Sequence, residues 1–190
     1  MVSQYALAYA LTTTAGIRAL LPLAAASVAA HFGWLHPSGA FAWLGHAPVM
    51  WILIVIAVLE MTADKIPVVD HAMHFVQLAS KPVAAAILVG GTTHPHSNEQ
   101  LVFLMVIGAL NALGFHSAVV GARVASTAGT AGLANPVLSI VEDAGSIVGI
   151  GLAFVAPVLA AVLALILAVV LMITARAVYR RSRRARARSA

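Results

Sequence analysis

The densest set of ionisable groups in this sequence is Glu60-Met61-Thr62-Ala63-Asp64-Lys65-Ile66-Pro67-Val68-Val69-Asp70. Glu60 and Asp64 are four residues apart, so on a helix they share one face, with Lys65 one step round to neutralise one of them. Asp70 and His74 repeat that spacing beyond Pro67. Carboxylates in this pattern suit a proton relay or a cation site at a broken helix. The plain alternative is a salt bridge, Asp64 with Lys65, at a membrane surface. A second set is Asn135-Pro136-Val137-Leu138-Ser139-Ile140-Val141-Glu142-Asp143. Here Ser139 stands three residues from Glu142 and four from Asp143. Asn135 is a good N-cap with proline after it. Adjacent acids diverge by about 100° around a helix, so at least one of Glu142 and Asp143 must face the protein interior. Arg18 and Arg123, each in a Gly-x-Arg sequence, are the counter-charges. Because arginine stays protonated when buried, the pair balances these acids or holds an anionic group.

Other chemistries find little purchase. Eight histidines are present, of which His71 and His74 lie within one turn of Asp70 and form the weak candidates for a metal site. No His-Glu-x-x-His, Walker, dinucleotide or nucleophile-elbow pattern occurs, so no cofactor and no catalytic residue is expected. With no cysteine, disulfides, thiol redox chemistry and cysteine-ligated metals are excluded.

The elements that position these groups are apolar. The 190 residues are 62% hydrophobic and only 9% charged, with a mean hydropathy of +0.98. Soluble domains average about 25% charged residues, so an ordinary soluble globule is excluded. The net charge of +5 is local: seven of the eleven Lys/Arg fall between Arg176 and Arg188. That tail reads as a topology signal and a contact for anionic lipids, and nucleic-acid binding is not expected.

Stretches near the bilayer length of about 20 residues place spans at about 5–30, 47–62, 68–90 (broken at Pro82), 101–125 and 150–175. A segment at 137–149 would be either a short span or a re-entrant half-helix. Residues 32–43, rich in Trp, His and turn formers, suit a membrane interface. The sequence begins without a basic leader region, so a cleaved signal peptide is not expected. The expected fold class is all-α: a polytopic helical membrane protein with five or six transmembrane helices and broken or re-entrant segments. It would be a single domain over 1–178, halves at about 1–92 and 98–178, and a flexible basic tail at 179–190. Both halves run Gly-x-Arg, Xaa-Pro, two acids, then an interrupted stretch and an apolar helix, an order that suggests an inverted 3+3 pseudo-repeat.

Three stretches together resemble a bacterial integral-membrane family, domain of unknown function 4126. They are Gly16-Ile17-Arg18-Ala19-Leu20-Leu21-Pro22, Glu60 through Asp64-Lys65-Ile66-Pro67 to Asp70, and Asn135-Pro136 through Ser139 to Glu142-Asp143. The resemblance spans about residues 10–160 and leaves out the arginine-rich tail. It implies that the three polar stretches meet, and it carries no activity. The expectation is a small transporter or channel-like permease of the bacterial inner membrane, C-terminus cytoplasmic and homodimeric. Glu60, Asp64, Asp70, Asn135, Ser139, Glu142 and Asp143 would bind an ion or small solute, with Arg18, Lys65 and Arg123 as charge partners. The alternatives are a non-transporting scaffold whose charges hold its helices together, and an intramembrane enzyme acting on a lipid.

Overall fold

The computed structural model describes residues 2–37, 39–63 and 67–188, with the side chains of 67–75, 175 and 177–188 outside the description. Among the described residues the protein is all helical. The order is α1 (Val2–Ile17), α2 (Leu20–His31), a 3-10 segment (Gly39–Gly45), α3 (Ala47–Ala63), α4 (Pro67–Thr92), α5 (Asn98–Thr130), α6 (Asn135–Val155) and α7 (Pro157–Arg188). It is a polytopic helical membrane protein. Helices α5, α6 and the Pro157–Thr174 part of α7 are each long and apolar enough to cross a bilayer, and the 3-10 segment with α3 makes a fourth, bent by 71°.

Contacts along the helices fix their directions. Gly108 of α5 faces Val89 and Ala85 of α4, while Lys81 meets His116 further along, so α4 and α5 are antiparallel. Helix α1 runs parallel to α5. Thr12 and Thr13 accept hydrogen bonds from Asn111 Nδ2 at 3.0 Å, and Gly16 packs on Ala112 and Phe115. Thus α1 starts at the face of the bundle where α4 ends and α5 begins, here the upper face, and descends. Helix α2 does not continue that descent. Ser27 Oγ donates to the Leu44 carbonyl, and Leu44 lies on Gly91, near the end of α4. The chain therefore reverses at Arg18 and Ala19, and α1 with α2 forms a re-entrant hairpin that enters and leaves by the upper face.

Five helices, α3 to α7, then run between the faces. Ser139 of α6 lies at Arg18 and Gly149 lies at Thr14, so α6 ascends beside α1; α7 turns at Ala156 and descends. The structure departs from the sequence expectation at three places and decides a fourth that was open. The segment at 5–30 is a hairpin and not one crossing. The helix α4 passes through Pro82 without breaking. The helix α6 spans 21 residues and ends before Pro157, so 137–149 is part of a full crossing and no re-entrant piece. The helix α5 continues to Thr130, where Ala131 at φ 51° and Gly132 at φ 86° terminate it. The two halves also open differently: the first with a hairpin, the second with the 33-residue α5. The last helix continues to Arg188, carrying the basic residues on its end.

Buried small residues allow this packing. A Cβ on Gly16 would lie 2.5 Å from the Ala112 carbonyl oxygen and 2.6 Å from Phe115 Cβ. Only glycine lets α1 lie this close to α5, as helices in lipid commonly do through small residues. Outward-facing Trp51, Ile52, Val55 and Leu59 on α3, and Leu165, Ile166 and Val170 on α7, form the apolar exterior that lipid would cover. Phe32, Trp34 and Trp43 are exposed at the upper face, the level at which tryptophan is favoured. There His31 Nδ1 donates to the Gly45 carbonyl and His94 Nε2 to the His36 carbonyl, both at 3.1 Å, which ties the loops together.

Candidate functional site

The hairpin tip creates a problem that its neighbours solve. A helix start in the membrane leaves amide hydrogens without partners, and no water is there to take them. Pro22, in the first turn of α2, removes one such donor. Glu60 of α3 takes two more: Ala19 N donates to Oε1 at 3.0 Å and Leu20 N to Oε2 at 2.9 Å. Glu60 is only 3% exposed. Its charge sits at the positive end of the α2 dipole, and Arg18 and Lys81 are the cations within electrostatic reach.

Arg18 itself is 1% exposed and reaches across to α6. Its Nη2 donates to Ser139 Oγ at 2.9 Å and to the Ser139 carbonyl at 3.3 Å, and its Nε lies 2.8 Å from Asp143 Oδ1. Glu142, the next acid round the helix, lies 3.6 Å from Arg18 Nη2 and is held on its other side by Arg123. Arg123 donates through Nε to Oε1 at 3.2 Å and through Nη2 to Oε2 at 2.6 Å, a two-pronged pairing. The divergence of adjacent acids is therefore met by two arginines from two helices, and both acids face inward.

Helix α6 presents Ser139, Asp143 and Ser146 as one buried stripe, at helical spacing. Ser146 Oγ is fully buried and has no hydrogen-bond partner among the described residues. Between α1, α6 and α7 lies a cavity of about 200 Å³, mostly apolar, with Thr13 and Thr14 as its polar side chains and Leu152, Leu163 and Leu167 among the rest. It begins within one turn of Arg18 on the α1 arm of the hairpin.

Of the residues singled out in the sequence, the structure brings together Glu60, Ser139, Glu142, Asp143, Arg18 and Arg123. Asn135 stays outside this set. It is the first residue of α6, the N-cap position belongs to Ala134, and the Asn135 side chain donates from Nδ2 to Thr127 Oγ1 of α5 at 3.0 Å. Asp64 and Lys65 lie outside the described residues. So do the side chains of Asp70, His71 and His74, although α4 passes through all three positions. Among the described residues no group of three or more His, Asp or Glu could hold a metal.

The sequence reading set Lys81 apart from the charged stretches, and the structure puts it at the centre. Lys81 is 1% exposed and its Nζ lies 2.9 Å from His116 Nδ1, itself buried. The signal was present: Lys81 lies near the middle of an apolar segment, where a lysine cannot reach either face. The link from Asn111 to Thr12 and Thr13 was also missed; with Thr14 Oγ1 donating to the Ala10 carbonyl at 2.9 Å, it explains how three consecutive threonines sit buried inside α1.

A family model described as domain of unknown function (DUF4126) matches residues 5–177. The chain belongs to that family. The DUF4126 match takes in the hairpin from Tyr5 onward and every residue of the buried charge cluster, and it stops within the last helix. No curated protein and no solved structure matches the chain.

Proposed function

We propose that this DUF4126 protein is a small permease for an ion or small solute. The observation that carries the reading is the re-entrant hairpin, whose tip places a fully buried arginine among acids of another span. Arg18 stands sixteen residues from Val2, or about 24 Å of helix, less than the thickness of a hydrocarbon core of about 30 Å. Irregular backbone at that depth is tolerated where it is buried in protein or lines a cavity, and discontinuous helices mark the binding sites of many transporters. The Ser146 hydroxyl, buried without a hydrogen-bond partner among the described residues, supports the same reading, because a water or a polar solute reaching it would satisfy that group. Glu60 and Glu142 are the acids on the path, and Arg18 and Arg123 hold them. The chain is expected to dimerise.

The location follows from charge. No Lys or Arg occurs in residues 1–17, 32–46 or 93–97, all at or leading from the upper face, while the basic tail leaves by the lower one. The positive-inside rule then makes the lower face cytoplasmic. We place the protein in the bacterial inner membrane with its C-terminus cytoplasmic and, by five crossings, its N-terminus outside.

The test is flux through proteoliposomes offered a panel of labelled inorganic ions and small solutes. Glu60→Gln and Glu142→Gln should leave a monodisperse, helical protein that has lost the wild-type flux. A scaffold role is the second reading, favoured by the close pairing of Arg18 with Asp143 and of Arg123 with Glu142. It requires wild-type protein that moves nothing on the panel, and single neutralisations that act on stability alone.

A further inference from the structure

Lys81 and His116, both buried, take no part in the Arg18–Asp143 and Arg123–Glu142 pairings. The pair joins α4 to α5 in the interior of the bundle. An ammonium has only hydrogens to offer, so Lys81 donates and His116 accepts at Nδ1, with the ring proton on Nε2. Residue 82 is proline. It lacks the amide that would bond the Leu78 carbonyl, so α4 is weakened directly beside Lys81 and can bend there. Among the described residues, the charged groups near the pair include Glu60 on α3, within electrostatic reach of Lys81, and Arg18 at the hairpin tip beside Glu60.

We propose that Lys81 and His116 form a proton relay, and that the ion this permease carries or couples to is the proton. The proposal rests on the permease reading. In the step, the Nζ–H bond breaks and an Nδ1–H bond forms, leaving a neutral amine and an imidazolium. The charge of the pair is unchanged. The imidazolium then releases its Nε2 proton on the far side of the ring, and the amine takes a fresh proton from its own side. One proton has crossed the pair and no other reactant is consumed. Bending at Pro82 withdraws the lysine while the ring returns to its first tautomer.

The experiment uses the full chain in proteoliposomes with a trapped pH-sensitive dye, a potassium gradient and valinomycin, alongside labelled sodium and chloride. Wild type should pass protons. Lys81→Arg keeps the positive charge and the donor but cannot give up its proton, and His116→Gln keeps an acceptor for the lysine. Both should remain folded and lose proton flux at least about tenfold. Proton flux retained in Lys81→Arg overturns the relay, because a purely structural cation is replaced by arginine. Wild type that passes sodium or chloride but no protons overturns the relay and leaves the permease standing. Wild type that passes none of these, and no solute of the wider panel, overturns both.

Discussion

Each buried charge at the hairpin tip is held by named partners, and its loss has a direction and a size. Removing one member of a buried ion pair leaves the other uncompensated, at about 3–5 kcal/mol. Arg18→Met is therefore expected to lower stability by that order in a denaturant titration in detergent, with Asp143 left beside an apolar chain. Adding Asp143→Leu should recover most of the loss, since a buried pair is replaced by apolar groups at little cost. A double variant no better than the single would show that Arg18 acts through other groups. Glu60→Gln loses less. The amide oxygen still accepts from one of the two α2 amides, while its NH2 faces the other donor, which costs about 1–3 kcal/mol. These residues were legible in the sequence because a charge in an apolar run must find a partner. What was not legible was who pairs with whom. The acids at 60 and 142–143 looked like two equivalent sites. In the structure one set holds a helix end and the other holds arginines. Lys81 escaped because its neighbours in sequence carry no charge, and its partner His116 lies on another helix.

At the scale of the elements, the hairpin depends on how closely α1 approaches α5. Gly16→Val would force its side chain into the Ala112 carbonyl and Phe115, with a cost of about 1–3 kcal/mol from overpacking. It would also shift the tip, so the loss should be accompanied by weaker Arg18–Asp143 coupling in a double-mutant cycle. Gly121→Val, where a Cβ meets open space, is the control and should be neutral in the same titration. Helix lengths and ends were only partly legible. Pro157 stopped a helix as proline should, and Pro67 began one. Pro82 did not stop α4, because in a membrane the hydrogen bonds on either side of the proline have no competing solvent and the helix is the cheapest state. The hairpin was read as one span because residues 5–30 are apolar enough for a crossing. Direction of travel leaves no mark in hydropathy, and only the packing of Gly16 and Ser27 onto different levels of the bundle revealed the reversal.

For the whole molecule, the reversal decides how the site is built and on which side each terminus lies. The family match extends over the hairpin from Tyr5 and over the cluster together. The number of crossings was left open between five and six, and a hairpin in place of the first span is the arrangement that favours five. The central claim is that α1 and α2 enter and leave by one face, bringing Arg18 to α6 from above. A chain with no native cysteine allows a direct measurement: single cysteines at Ser3, Ser97 and Thr130, labelled by a membrane-impermeant maleimide in sealed vesicles of one orientation. The hairpin predicts that Ser3→Cys and Ser97→Cys react from the same side and that Thr130→Cys reacts from the other. Labelling of Ser3→Cys together with Thr130→Cys, and opposite to Ser97→Cys, would mean that the first segment crosses the membrane and would contradict the account.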